Sequence, residues 1–204
     1  MRTQKKSPAH SLKRAVFLDR DGTINEDVGY PNRWGQIKIY PWSVDAVRRL
    51  NAAGFAVLIV TNQSGVGRGY YTEDELGAIH DQLVSVFAAA GARIDGIYYC
   101  PHYPLSAEPR FRRDCLCRKP GPGMGLRAAA DFDLDLARSY MVGDKAEDIL
   151  FARSAGATPV LVLTGYGLEA RKKLEAAGIA PAAVTADLGE AADWILGRER
   201  ATTA

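Results

Sequence analysis

A chain of 204 residues with 47% hydrophobic and 25% charged side chains can bury a sizeable core in one domain and is too apolar for a disordered chain. Its 26 basic and 24 acidic residues leave a net charge of only +2, which excludes a strong nucleic-acid or membrane-surface footprint. No apolar run approaches the roughly 20 residues that span a bilayer, so a cytoplasmic protein with a small anionic partner is expected.

Residues 1–14 are basic and lack the apolar stretch and small-residue cleavage site of a signal peptide, so they are expected to form a frayed, flexible tail. The remainder, 15–204, reads as one domain. Short β-branched or aromatic runs at 15–18, 55–60, 94–99, 140–142 and 159–163 have the character of strands buried on both faces. Between them, Ser43 can cap a helix carrying Val44, Val47 and Leu50 and ending at Gly54. Thr72 and Glu75 form a capping-box pattern before Leu76, Ile79, Leu83 and Val86, ending at Gly91. Further helices are predicted at 124–132, 145–155 and 187–197. This alternation predicts an α/β fold, a Rossmann-like doubly wound parallel sheet whose ligands sit at the carboxyl ends of its strands. The irregular stretches 24–40 and 100–122 leave room for a minimal cap only, and long loops in compact domains are usually functional.

The carboxylates follow the strands. Asp19 and Asp21 close the first, in Phe17-Leu18-Asp19-Arg20-Asp21-Gly22-Thr23, and Asp144 and Asp148 follow the fourth, in Met141-Val142-Gly143-Asp144-Lys145-Ala146-Glu147-Asp148. Carboxylates gathered at a sheet edge suit an octahedral Mg²⁺ that leaves positions for water and a phosphate. With Gly22 turning the chain, Asp19 can attack phosphorus and Asp21 can serve as acid and then base. The Thr61-Asn62-Gln63-Ser64 turn offers hydroxyl, amide and backbone donors to phosphoryl oxygens, and Lys119 offers a point charge. Asp144 is expected on the metal and Asp148 behind it.

All three cysteines fall between 100 and 117. Cys100 and His102 with Cys115 and Cys117 make a Cys₃His set, which suits a closed tetrahedral Zn²⁺ site that staples the loop leading into Arg118 and Lys119. His80, in mid-helix, reads as a partly exposed residue without a role, and His10 lies in the tail. Trp34, Trp42, Trp194, Tyr98 and Tyr99 read as packing residues.

In order, Asp19-Arg20-Asp21-Gly22-Thr23, Thr61, Lys119, and Gly143-Asp144 with Asp148 resemble the motif set of the haloacid-dehalogenase-like phosphatase superfamily. That resemblance implies Asp19 as nucleophile, Asp21 as acid/base, Thr61 and Lys119 as phosphoryl stabilisers, and Mg²⁺ on Asp19, the Asp21 backbone carbonyl and Asp144. With the cysteine loop added, the chain from about 15 to 165 is similar to the heptose bisphosphate phosphatase family. This closer resemblance implies a small phosphorylated sugar as substrate, bound by Asp27-Val28-Gly29-Tyr30, Thr61 to Ser64, Arg118, Lys119 and Lys145. Val28 stands where some members carry a polar residue such as His. Histidinol-phosphate phosphatases share the motifs and the zinc loop, but Arg118 beside Lys119 repels a cationic substrate and ranks the bisphosphate first. Asp19, Asp21 and Asp144 are all present, which argues against a non-catalytic binding module. A monomer is expected.

Overall fold

A computed structural model describes residues 12–203 of the chain. Six parallel strands form one sheet: β1 (Ala15–Leu18), β2 (Ala56–Asn62), β3 (Gly96–Cys100), β4 (Tyr140–Gly143), β5 (Thr158–Val162) and β6 (Ala183–Thr185), in the order β3-β2-β1-β4-β5-β6. The helices are α1 (Ser43–Ala52), α2 (Ser64–Gly67), α3 (Glu73–Ala89), α4 (Gly123–Phe132), α5 (Ala146–Ala155), α6 (Gly167–Ala176) and α7 (Leu188–Thr203). Within β1, Val16 and Leu18 join a core shared with α1, α3 and α7, while Ala15 and Phe17 face the layer of α4 and α5. This two-sided burial explains why the central strands are uninterrupted apolar runs, since each side chain finds a helix above or below the sheet.

The capping box of α3 forms as its sequence predicts, with Glu75 N–H donating to Thr72 Oγ1 at 3.1 Å and Thr72 N–H to Glu75 Oε2 at 2.7 Å. Three local expectations are corrected. Ser43 is the first residue of α1 rather than its cap, because its hydroxyl donates to the Ile24 carbonyl at 2.8 Å and ties the segment after β1 to the helix. Val86 is exposed, and the helix face buries Phe87 in its place. The expected tail is partly folded: residues 1–11 lie outside the described residues, but Lys13 N–H donates to the Asp133 carbonyl at 2.8 Å. Arg14 pairs with Glu199 and lies over the Phe55 ring.

β1 occupies the sheet centre with β2 on one side and β4 on the other, so the chain departs in opposite directions from neighbouring strands. The loops then part above the carboxyl ends of β1 and β4 and leave a crevice, the usual ligand position in such sheets.

Candidate active site and metal centres

Asp19 follows β1, its N–H donating to the Val142 carbonyl at 3.0 Å, and its carboxylate is almost fully buried. Oδ1 accepts the Arg20 N–H at 2.8 Å and lies 2.9 Å from Lys119 Nζ, which leaves Oδ2 with a lone pair to give. Lys119 is buried as well and stands between Asp19 and Asp148, at 2.6 Å from Asp148 Oδ1, while donating to the Val60 carbonyl at 2.8 Å. Burial works against its charge, but the Asp148 and Asp19 carboxylates prevail and raise its pKa. Asn62 holds the Lys119 backbone from both sides: its Oδ1 accepts the Lys119 N–H at 3.0 Å and its Nδ2 donates to the Lys119 carbonyl at 3.1 Å. Thr61, at the end of β2, is buried and accepts from Gln63 Nε2 at 2.9 Å.

Asp144 caps β4 with no exposed surface, and Tyr166 N–H donates to its Oδ2 at 2.8 Å. Gly22 has a φ of +89°, and a Cβ there would stand 2.2 Å from Asp144 Oδ2, so only glycine brings the two loops this close. Burial first, and then the neighbouring Asp19 carboxylate, push Asp144 up to about 8. Asp148 lies in the first turn of α5, accepts the Lys145 N–H at 2.9 Å, and has a carboxylate oxygen within 4.8 Å of those of Asp19 and Asp144. Three buried carboxylates, with Asp144 Oδ1 lacking a hydrogen-bond partner among the described residues, fit a hard divalent cation.

The second metal-competent group is the predicted one. The six separations among Cys100 Sγ, His102 Nδ1, Cys115 Sγ and Cys117 Sγ run from 3.1 to 3.6 Å. Bonds of about 2.0–2.3 Å to nitrogen and sulfur give a tetrahedron edges of roughly 3.5 Å, so the four donors already stand at the corners of a zinc-sized site.

A cleft of 540 Å³ opens over Asp19 and Asp21. Asp27, Gly29, Tyr30, Thr61 to Ser64, Arg118, Lys119 and Lys145 all line it. Val28 does not: its side chain is 43% exposed and outside the lining, although its neighbours reach it. Lys145 donates to Asp27 Oδ2 at 2.8 Å, and with burial opposed by Asp19 and Asp144 its pKa rises. Arg118 Nη1 lies 3.5 Å from the His102 carbonyl, which ties its side chain to the cysteine loop.

Several residues escaped the sequence reading. Tyr71, Glu147 and Tyr166 line the cleft, and Thr164 donates to the Gly22 carbonyl at 2.5 Å, so the loop after β5 closes one side of the site. The rule that ligands sit at carboxyl strand ends pointed to this loop, but its residues carry no motif. The larger omission lies beneath Asp21. Arg20 is completely buried and grips both oxygens of Asp21, from Nε at 3.0 Å and Nη2 at 2.7 Å, and His80, far from partly exposed, is buried against it. Burial raises the Asp21 pKa, but the Arg20 charge and hydrogen bonds from Arg20, Asn25 and Gln63 outweigh it and hold the carboxyl below the usual range.

Comparisons with known proteins agree with this geometry. A family model described as HAD-hydrolase-like matches residues 116–191. The chain is 42% identical over 183 residues to the D-glycero-beta-D-manno-heptose-1,7-bisphosphate 7-phosphatase of Yersinia pestis, covering 89% of each chain. It is 43% identical over 185 residues to the D-glycero-D-manno-heptose-1,7-bisphosphate 7-phosphatase of Thermosynechococcus vestitus, covering 89% of this chain and 94% of that one. The crystal structure of D,D-heptose 1,7-bisphosphate phosphatase from B. bronchiseptica, complexed with magnesium and phosphate, matches with a TM-score of 0.79 and 37% identity over 91% of this chain and 99% of that one. Identity of this extent, carried on a sheet that places both carboxylate motifs and the cysteine loop around one cleft, makes the chain a member of the D-glycero-D-manno-heptose 1,7-bisphosphate 7-phosphatase family of HAD-like hydrolases.

Proposed function

We propose that the chain is a Mg²⁺-dependent phosphatase that removes the 7-phosphate of D-glycero-D-manno-heptose 1,7-bisphosphate through an aspartyl-phosphate on Asp19. The observation that carries this reading is the convergence of Asp19, Thr61 and Lys119, from two adjacent strands and the cysteine loop, onto one cleft, with Asp144 from the next strand buried against Asp19 beneath it. Asp19 Oδ2 attacks phosphorus, the bond from phosphorus to the sugar oxygen breaks, and Asp21 gives that oxygen its proton. Water then attacks the phosphorus, Asp21 takes a proton from it, and Asp19 is released with inorganic phosphate. Thr61 and Lys119 stabilise the phosphoryl oxygens. Asp19, Asp144 and the Asp21 backbone carbonyl would hold Mg²⁺, which supplies positive charge to the phosphoryl group and relieves the repulsion among the buried carboxylates.

Arg118, Lys119 and Lys145 give the cleft a cationic wall suited to a substrate with a second phosphate, and Asp27, Gly29 and Tyr30 can meet sugar hydroxyls. The same wall disfavours the ammonium and imidazole of histidinol phosphate. Cys100, His102, Cys115 and Cys117 would hold a zinc ion that keeps the segment of Arg118 and Lys119 in place.

Phosphate release with Mg²⁺ from both anomers of the bisphosphate and from histidinol phosphate tests this. A kcat/KM for one heptose anomer about a hundredfold or more above that for histidinol phosphate is expected. The reverse order moves the chain to histidinol phosphate, and no release from any of them returns it to a binding role.

A further inference from the structure

Arg20 is among the largest fully buried side chains of the protein, and a buried guanidinium is tolerable only when its hydrogens are satisfied. Two of its nitrogens serve Asp21, Nη2 also reaches Gln63 Oε1 at 3.2 Å, and Nη1 lies 3.2 Å from His80 Nε2. A guanidinium only donates, so His80 Nε2 must accept and the ring must be neutral with its proton on Nδ1. Burial, and then the Arg20 charge, push His80 down to about 3, consistent with that geometry. His80 is anchored on α3, 60 residues along the chain from Arg20, and packs 5.9 Å from the Tyr99 ring. It therefore fixes the guanidinium from an element outside the catalytic loops. Gln63, held in turn by the Tyr71 hydroxyl at 2.7 Å, fixes it from another side while donating to Asp21 Oδ2 at 2.9 Å.

We propose that His80 is a positioning residue for proton transfer: by accepting from Arg20 Nη1 it locks the guanidinium fork that aims the Asp21 carboxyl at the leaving oxygen. This rests on the acid/base role proposed for Asp21. Without the acceptor, Nη1 is left with an unmet donor in a dry site, and the fork turns toward another partner and takes Asp21 with it.

The consequence is selective. A sugar alkoxide needs a proton as it leaves, whereas nitrophenolate leaves without one, so a misaimed Asp21 slows the first reaction and spares the second. His80→Phe fills the space without an acceptor. It is expected to lower kcat/KM on heptose bisphosphate about tenfold or more and on 4-nitrophenyl phosphate less than about threefold, with His80→Gln, which offers a carbonyl acceptor, restoring the sugar reaction. Equal losses on both substrates, or none on either, overturn the proposal. Asp21→Asn is the control. If it too loses no selectivity, the role of Asp21 fails and His80's with it; if it is selective and His80→Phe is not, His80's role alone fails. Should His80→Phe not fold, His80→Met, flexible and without a nitrogen acceptor, is read in the same way.

Discussion

Asn62 is a polar side chain at a cleft whose hydrogen bonds run inward, to the backbone of Lys119, rather than to anything in the cleft. The sequence suggested a substrate contact there because a polar turn after a strand is all that its position reveals. The bonds make it the clamp that fixes the height of Lys119 over Asp19, so Asn62→Ala is expected to lower kcat about 10- to 100-fold through misplacement of the ammonium, with a smaller change in KM. Steady-state kinetics separate the two, and an unchanged kcat would show that Lys119 holds its position without the clamp. His80 leads to a prediction of stability. Unfolded, it titrates near about 6.5, while burial and then Arg20 hold it at about 3 in the fold. The unfolded chain therefore binds a proton that the folded one refuses, so this contribution is fully present above pH 6.5 and is lost as pH falls toward 3. At pH 5 the difference is about 2 kcal/mol. The unfolding free energy measured in urea is expected to fall by about 2 kcal/mol more for the wild type than for His80→Gln between pH 7 and 5, and an equal fall in both would contradict a neutral buried imidazole. The gathering of Asp19, Asp21, Thr61, Lys119 and Asp144 at one sheet edge was legible because their positions are tied to strand ends and motif order. Arg20 and His80 were not, because their significance lies in burial and in a contact between distant segments, which no local pattern encodes.

Elements were legible where local chemistry and tertiary burial agree. The strands β1, β2 and β4 are buried on both faces and α3 carries its own capping box, so apolar runs and cap residues mark them. α6 was missed because it buries only Gly167, Ala170 and Leu174 and otherwise presents charge, and β6 because three residues at a sheet edge make no pattern. α2 is a single turn whose glycines allow close packing: a Cβ on Gly65 would stand 2.3 Å from the Tyr71 ring. The cysteine loop differs from all of these, since between Cys100 and α4 it contains no regular element and gathers four metal-competent side chains at one point. Stripping metal with a strong chelator is therefore expected to open this loop to protease within 103–116 and to lower activity together with the hold on Arg118 and Lys119, while the strands keep their circular dichroism. Full activity in a sample verified as zinc-free would show that the segment around Lys119 is fixed by Asn62 and its ion pairs alone.

Across the whole molecule, the sheet order determines where charge can be concentrated. Only at the parting of β1 and β4 can loops from both halves deliver carboxylates to one point, and the fold places Asp19, Asp144 and Asp148 there with almost no solvent. Such a concentration opposes folding, since Lys119 lies against Asp19 and Asp148 but Asp144 Oδ1 has no hydrogen-bond partner among the described residues. Stability and the proposed function are therefore in conflict at this site, and a bound cation would reconcile them. In metal-free buffer at pH 7 Asp144→Asn is expected to melt higher than the wild type, because burial and then Asp19 push the Asp144 carboxyl up to about 8, so folding must protonate a group that is ionised in the unfolded chain, and an amide carries no such cost. Mg²⁺ at about 100 times its dissociation constant should add about 2.7 kcal/mol to the wild type, roughly 5–10 °C for a chain of this size, and little to the variant. Thermal scans with and without Mg²⁺ decide this, because a wild type that gains nothing from the cation, or a variant that melts lower without it, would mean that the carboxylates are neutralised within the protein and that the cation arrives only with the phosphate.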